Sequence, residues 1–463
     1  MRAFALASMT ALLLSGLPPA PLDPLPAQPA RGERQADPES ICAPYLDGFR
    51  TQMEDRGGYS RNGVVRGRPA PSVGFAPPPP PPPPSPPPPP LVAQERAATG
   101  RIAVTGSAVR QPYASPQNRE RYQGEEVAAV QAVTEAPVST FSVDVDTGSY
   151  ANVRRMLNQG QLPPQAAVRT EEMLNYFRYD YPAPEDRSRP FSITTDMTTT
   201  PWNENTRLLR VGLRGYDVPR RGRPAANLVF LVDVSGSMDS IDKLPLVQCS
   251  LALLANRLNP RDRVSIVVYA GAAGLVLPAT SNRAEIIDAL DRLKAGGSTA
   301  GAAGIQLAYR TARENMIEGG INRVILATDG DFNVGITNNE TLVDMVERER
   351  EAGVTLTTLG FGTGNYNEAM MEQIADHGNG NYSYIDSPRE AWRVLDQELS
   401  STLFTIAQDV KIQVEFNPAY VREYRLIGYE NRTLREEDFD NDEVDAGDIG
   451  AGHQVTALYE IVP

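Results

Sequence analysis

A doubly wound α/β domain with a mostly parallel sheet, flanked by a composite antiparallel β-sandwich, is the fold class that three features of the sequence predict. Short, nearly continuous apolar runs at residues 228–232, 264–269, 324–327 and 354–359 have the character of strands covered on both faces. Helical patterns at 243–258, 282–293, 300–316, 339–352 and 387–406 alternate with them, and strands alternating with helices make a parallel sheet. Outside this block the code changes to period-two alternation: Phe191, Ile193, Thr195, Met197 and Leu209, Val211, Leu213 before it, then Val410, Ile412, Val414, Phe416 and Val455, Ala457, Tyr459, Ile461 after it. Such strands have one buried face each, and the two sets are expected to share one sandwich from which the α/β domain projects.

From the N-terminus, Arg2 precedes an apolar stretch over 3–17 and the exit Pro18-Pro19-Ala20. This is the pattern of a secretory signal peptide, assigned to residues 1–20, and the stretch is shorter than the ~20 residues that span a bilayer. An exported protein of the periplasm, cell envelope or medium is expected, with only indirect membrane association. Residues 21–137 read as a disordered, proline-rich linker. The run at 77–90, broken only by Ser85, would extend roughly 40 Å as polyproline II, at about 3.1 Å per residue. It reads either as a spacer holding the folded part away from an anchor or as an unstructured tail.

Residues 138–222 form a helical and β segment. A first helix is expected around Val153, Met156 and Leu157, and a second over 166–177 with Val168, Leu174 and Phe177 on one side. The α/β domain occupies 223–406. Asn282 with Glu285 and Ser387 with Glu390 have capping-box spacing, Pro388 suits a first helical turn, and Gly353 follows the fourth helix. A C-terminal β segment over 407–463 stops within a strand-like pattern and reads as incomplete.

The chain has 463 residues, 41% of them apolar, enough for more than one real core. A formal charge of -14 without a basic patch argues against nucleic acid and anionic lipid as partners. The two cysteines, Cys42 in a polar stretch and Cys249 in an apolar helix, are too few and too unlike in setting to suggest a disulfide framework; Cys249 reads as an inert buried thiol.

The chemistry-bearing signal is Asp233-Val234-Ser235-Gly236-Ser237, where the first buried strand gives way to a loop before a helix. Asp329 ends another buried strand, and Thr299 follows Gly296-Gly297-Ser298 just before a helix. In an open parallel sheet the loops at the carboxyl ends of the strands form the ligand crevice. Three loops thus place oxygen atoms at one edge, which suits a hard divalent cation that takes about six oxygen ligands and readily keeps water.

Taken together, these elements resemble the metal-ion-dependent adhesion site of von Willebrand factor type A domains, whose sheet is Rossmann-like. The wider stretch is similar to bacterial exported von Willebrand domain proteins of the YfbK type over residues 138–463. The similarity runs from 139–146, through Leu162-Pro163-Pro164 and Asn175-Tyr176-Phe177, to 451–459. Members usually carry a longer C-terminal domain. The resemblance implies a site of Asp233, Ser235, Ser237, Thr299 and Asp329 holding Mg²⁺, with Mn²⁺ or Ca²⁺ as substitutes. Ser235, Ser237 and Thr299 would touch the ion, with Ser298 as the fallback for Thr299, and Asp233 and Asp329 would act through waters or hydrogen bonds. An ion so held keeps an open position for a carboxylate on the acidic surface of a partner protein, so a cation-dependent adhesion or scaffold protein is expected.

Other signals are weaker. Asp331, two residues after Asp329, reads as a solvated turn residue, with the rim of the same site as the alternative; Gly360-Phe361-Gly362-Thr363-Gly364 reads as a flexible rim loop and not a dinucleotide loop; and the acidic run from Asp438 to Asp448 reads as a solvated loop, since Glu443 and Ile449 break the calcium-loop pattern, with weak calcium binding as the alternative. His377 and His453 fall in no zinc or triad signature, so no enzyme is expected. The alternatives are a metal-assisted hydrolase and a domain whose metal is purely structural.

Overall fold

The computed structural model describes residues 5–8, 37–55 and 120–463, apart from 123, 125, 144–145, 220–221, 299–300, 331–338, 365, 399–400, 402, 442–443 and 445. After β1 (Ala5–Ser8) and α1 (Pro38–Asp55) come β2 (Gln131–Ala132), β3 (Val138–Ser142), α2 (Gly148–Asn158), α3 (Thr170–Asn175), β4 (Phe191–Thr200) and β5 (Asn203–Gly215). The α/β block is β6 (Ala226–Asp233), α4 (Leu244–Ala255), β7 (Arg263–Tyr269), β8 (Ala273–Thr280), α5 (Arg283–Asp291), α6 (Gly301–Glu314), β9 (Ile321–Thr328), α7 (Asn339–Glu351), β10 (Thr355–Phe361), α8 (Glu368–His377), β11 (Tyr382–Ile385) and α9 (Pro388–Trp392). Last are β12 (Thr405–Ala407), β13 (Lys411–Glu415), β14 (Glu423–Ile427), β15 (Thr433–Leu434), β16 (Ile449–Gly450) and β17 (Gln454–Val462).

The central sheet has the order β11-β10-β9-β6-β7-β8 and is parallel except for β8, which returns antiparallel beside β7. All eight residues of β6 are buried. Leu228, Phe230 and Val232 pack into a core that includes α4, α5 and α9, while Val229 and Leu231 pack into a second core with α6, α7 and α8. That is why the apolar runs are continuous: each face of the sheet has a helical layer. At the start of β6, buried Arg223 donates from two nitrogens to Asp262, whose carboxylate also accepts the Ala226 and Asn259 N–H groups at 2.9 and 2.6 Å.

The sandwich is built from both flanks. A four-stranded sheet, β1-β13-β3-β15, faces a five-stranded sheet, β2-β14-β17-β5-β4. Phe141, Ile412 and Val414 from the first meet Leu209, Val211, Leu213, Val455, Ala457, Tyr459 and Ile461 from the second in one core. The pairing of β3 with β13 and of β5 with β17 interleaves the segments before and after the α/β block.

Several expectations need correction. The expected thiols are a disulfide: Cys42 of α1 and Cys249 of α4 are bonded, with Cα atoms 4.7 Å apart across 207 positions. Helix α1 lies inside the stretch read as a disordered linker; Cys42 is buried, and Ile41, Tyr45 and Leu46 pack against the α4 core. The proline run at 77–90 is outside the described residues. The described residues include 120–137, ahead of residue 138 where the folded segment is expected to begin. β1, within the apolar stretch read as an export signal, runs parallel to β13.

The expected helix over 166–177 is a 3₁₀ turn, Gln165–Ala167, followed by the six-residue α3, with Val168 and Phe177 left exposed. Its buried residues are Glu171 and Glu172, whose carboxylates accept from the N–H groups of Tyr429 and Ser149. In α2 likewise, Leu157 is exposed while Ser149, Asn152 and Arg155 are buried. A search for apolar periodicity misses inward faces made of polar groups. The helix expected over 387–406 is α9 plus a π-helical turn, Arg393–Gln397, and Thr405–Ala407 is instead a strand beside β16. Ile193 and Met197 of β4 are exposed because that strand is at the sheet edge. α8, β11 and β8 are additional elements: β11 has only four residues, and β8 buries Leu277 alone, so it shows no regular apolar face.

A disulfide closing so long a loop contributes about 2–4 kcal/mol. Replacing both Cys42 and Cys249 by Ser is therefore expected to lower the unfolding midpoint by roughly 4–10 °C, read from thermal melts. Reductant should lower the wild-type midpoint and leave the double variant unmoved; a midpoint indifferent to both changes would count against the bond.

Candidate metal centre

The site forms where the chain order of the sheet reverses. From β6 the chain passes to β7 on one side and later returns to β9 on the other, and the crevice at such a switch point lies beyond the carboxyl ends of the strands. Val232 of β6 is opposite Ala327 of β9, so Asp233 and Thr328-Asp329 emerge side by side.

Asp233 is fully buried. Its Oδ1 accepts the Ser235 N–H at 2.8 Å and its Oδ2 accepts the Thr328 hydroxyl at 3.1 Å. Burial pushes its carboxyl up to about 6; the Ser235 and Thr328 hydrogen bonds oppose this and the charge of nearby Asp329 adds to it. Ser235 is buried and Ser237 exposed, with their hydroxyl oxygens 3.0 Å apart, so the hydroxyl pair leads from the interior to solvent.

The third loop is pinned to the first by backbone bonds. The Gly236 N–H donates to Gly297 O at 3.0 Å, and the Gly296 N–H donates to Val234 O at 2.8 Å. Gly297 has φ of 90°, which glycine adopts without strain. Thr299 lies outside the described residues, as does Asp331; Ser298, the fallback, is exposed on the rim. The structure therefore brings together Asp233, Ser235, Ser237 and Asp329, and carries the chain to within two residues of Thr299.

Two participants were missed. Thr328 accepts the Gly330 N–H through the hydroxyl that donates to Asp233, so it links both acidic loops. Lys243, nearly buried at the N-cap of α4, places its Nζ 2.9 Å from Oδ2 of the fully buried Asp329. A cation at a helix N-terminus opposes the helix dipole, and that conflict was the available signal that Lys243 must answer a negative charge.

The oxygen set, two buried carboxylates behind two hydroxyls with one side open to solvent, is chemically suited to a small hard cation. Among the described residues no group of three or more His, Cys, Asp or Glu side chains could hold a metal. A cavity of about 550 Å³ lined by residues including Gly124, Ala166, Arg169 and Glu430 shares no residue with this site.

The weaker signals also resolve. The loop from Gly360 to Gly364 is at the rim but is not loose: Tyr384 donates its hydroxyl to Gly362 O at 2.6 Å, and the Gly364 N–H donates to Glu120 at 3.0 Å. In the acidic run, Asp438 is ion-paired with Arg435 and its carbonyl accepts from Lys411. Asp448 accepts the Asp409 N–H, and Asp442, Glu443 and Asp445 lie outside the described residues. His453 is half-buried in the sandwich flank and is held down to about 4 by desolvation and by the charges of Arg178 and Arg393; His377 pairs with Glu347 on α7.

A folded-state pKa of about 6, above the ordinary 3.8, gives stability that is present below pH ~4 and lost as pH rises through about 6. In the absence of divalent cations, Asp233→Asn should remove that loss and stabilise the protein by about 1–3 kcal/mol at pH 8 relative to wild type, with little difference at pH 4. Melts in EDTA across this range are the check, and parallel pH profiles for the two proteins would contradict it.

With this geometry in hand, comparison with known proteins gives a consistent result. Residues 227–397 match the family model described as von Willebrand factor type A domain, 116–210 match one described as von Willebrand factor, and 401–463 match one described as Uncharacterized protein YfbK, C-terminal. The protein YfbK of Escherichia coli (strain K12) is 54% identical over 349 residues, covering 74% of this chain and 61% of its own length. The chain thus spans about three-fifths of that relative. The protein sll0103 of Synechocystis is 32% identical over 206 residues, 43% of this chain and 48% of its own length. A solved von Willebrand factor type A structure from Catenulispora acidiphila aligns with 62% of this chain and 66% of its own at 17% identity and a TM-score of 0.38, too loose a likeness to carry an argument. The chain is a von Willebrand factor type A domain protein of the YfbK type.

Proposed function

We propose that this protein holds a divalent cation, Mg²⁺ first among candidates, at Asp233, Ser235, Ser237 and Asp329 with Thr299 completing the set, and uses it to grip a carboxylate on a partner protein. Von Willebrand factor type A domains commonly bind divalent cations at such sites and typically mediate protein–protein contacts. The observation that carries the reading is the adjacent Ser235 and Ser237 hydroxyl pair, open to solvent at Ser237, in front of two buried carboxylates. A bound cation would supply the electrophile. The chain's own part is to fix the carboxylates: Ser235 N–H and Thr328 orient Asp233, and Lys243 occupies an oxygen of Asp329. With hydroxyls and water in most positions the ion would keep much of its charge for an incoming acid. That local charge outweighs an acidic surface whose field is screened over about 8 Å at physiological ionic strength.

The reading is of a binder and not an enzyme: neither histidine is among the site residues, and the acids present are engaged in orienting the site. The location that fits is outside the cytosol, in the periplasm or envelope. The N-terminal pattern of charge, apolar stretch and small-residue exit supports this, and so does the Cys42–Cys249 bond, since disulfides persist in oxidising compartments.

The test is capture from an envelope extract in Mg²⁺ and in EDTA. Wild type is expected to retain a protein ligand only with the cation, and Asp233→Ala to lose both cation and ligand while keeping its fold by circular dichroism. Capture that survives EDTA and the substitution alike would place the contact elsewhere.

A further inference from the structure

Lys243 is an anomaly that the cation site alone does not explain. Its ammonium is brought to 2.9 Å from Asp329 although both side chains are almost wholly removed from water, an arrangement whose desolvation is costly. The fold is shaped to hold it. The Lys243 N–H donates to Ser240 O at 3.0 Å, and its carbonyl receives the Val247 N–H at 2.9 Å. Its methylene stem lies against Gly362, where a Cβ would overlap the stem and where φ is 72°. Gly362 is in turn fixed by the hydroxyl of buried Tyr384.

The consequence is one of charge. Of these three side chains Asp233 and Asp329 are acids and Lys243 a base, so in their ionised forms they sum to one negative charge before a cation binds. A divalent cation would balance the two carboxylates; with the lysine added, the three side chains and the ion sum to one positive charge. A neutral loaded site has little reason to prefer an acid over a hydroxyl or water, whereas a positive one favours an anion.

We propose that Lys243 sets the ligand preference of this site: its ammonium weakens the hold on the cation and, in exchange, leaves the loaded site with the excess positive charge that selects a carboxylate. This rests on the reading of the site as cation-holding. Lys243 is a positioning and charge-setting residue, which makes no contact with the reacting partner in this account.

The two effects have opposite signs, which a merely structural role would not produce. Mn²⁺ alone is titrated into the full chain by electron paramagnetic resonance, and acetate is then titrated into the Mn²⁺-loaded protein by water-proton relaxation. Lys243→Met is expected to bind Mn²⁺ roughly tenfold tighter and acetate roughly tenfold more weakly than wild type. Lys243→Gln should move both in the same directions if methionine disturbs the contact with Gly362. The double variant Lys243→Met, Asp329→Asn restores the wild-type charge sum and should return acetate affinity toward wild type. If wild type holds no Mn²⁺, the reading of the site and this inference both fall. If wild type holds Mn²⁺ but the neutral variants bind Mn²⁺ and acetate both more weakly, or both unchanged, the site stands and the role of Lys243 is overturned.

Discussion

The pairing of β6 with β9 is the constraint from which the rest follows. β6 is buried on both faces, so each of its side chains is committed to one of two cores. A one-residue slip against β9 would exchange those faces and drive Leu228, Phe230 and Val232 into the space shaped for Val229 and Leu231. With register fixed by packing, the first residues beyond the apolar runs, Asp233 and Asp329, have no freedom over where they emerge. Two carboxylates that repel each other are held together by hydrophobic burial acting several residues away, and Thr328 and Lys243 manage the resulting charge.

Beside the small apolar cluster of Ala151 with Met371, Ala375 and Tyr382, polar contacts bind the flanking segments to the α/β domain. Asn152 of α2 donates to Glu368 at 3.0 Å; Arg154 is bonded to Asp386 and Glu390; Arg169 reaches Glu372 at 2.8 Å. Burial raises Glu368 to about 7, against the pull of Arg169 and the Asn152 bond. Buried networks of this kind contribute orientation because few alternative arrangements satisfy every member. Glu120 extends the network to the metal-side rim: it pairs with Arg155 and accepts the Gly364 N–H in the loop that cradles Lys243.

Much of this was legible because it followed simple periods. Continuous apolar runs marked the sheet, alternation marked β5, β13 and β17, and Asn282 and Ser387 cap their helices as their spacing implied, each accepting a backbone N–H. Asp233, Ser235, Ser237 and Asp329 were readable since strand ends and loop chemistry coincide there. What escaped was long-range or polar. Nothing near Cys42 in sequence points to Cys249, because their meeting depends on where α1 docks. The inward face of α2, made of Ser149, Asn152 and Arg155, looks like a solvent face until its partners are known. Thr328 joins the site through tertiary contact alone, and the one sign of Lys243 was a cation at the start of a helix.

The bond between α1 and α4 changes the topology of everything between them. Residues 56–119 leave from a helix welded to the domain and return at Glu120, which is itself engaged with Arg155 and Gly364. The proline-rich stretch therefore lies within the covalent ring that the Cys42–Cys249 bond closes. A single cut within it would leave the molecule in one piece until the sulfurs were reduced.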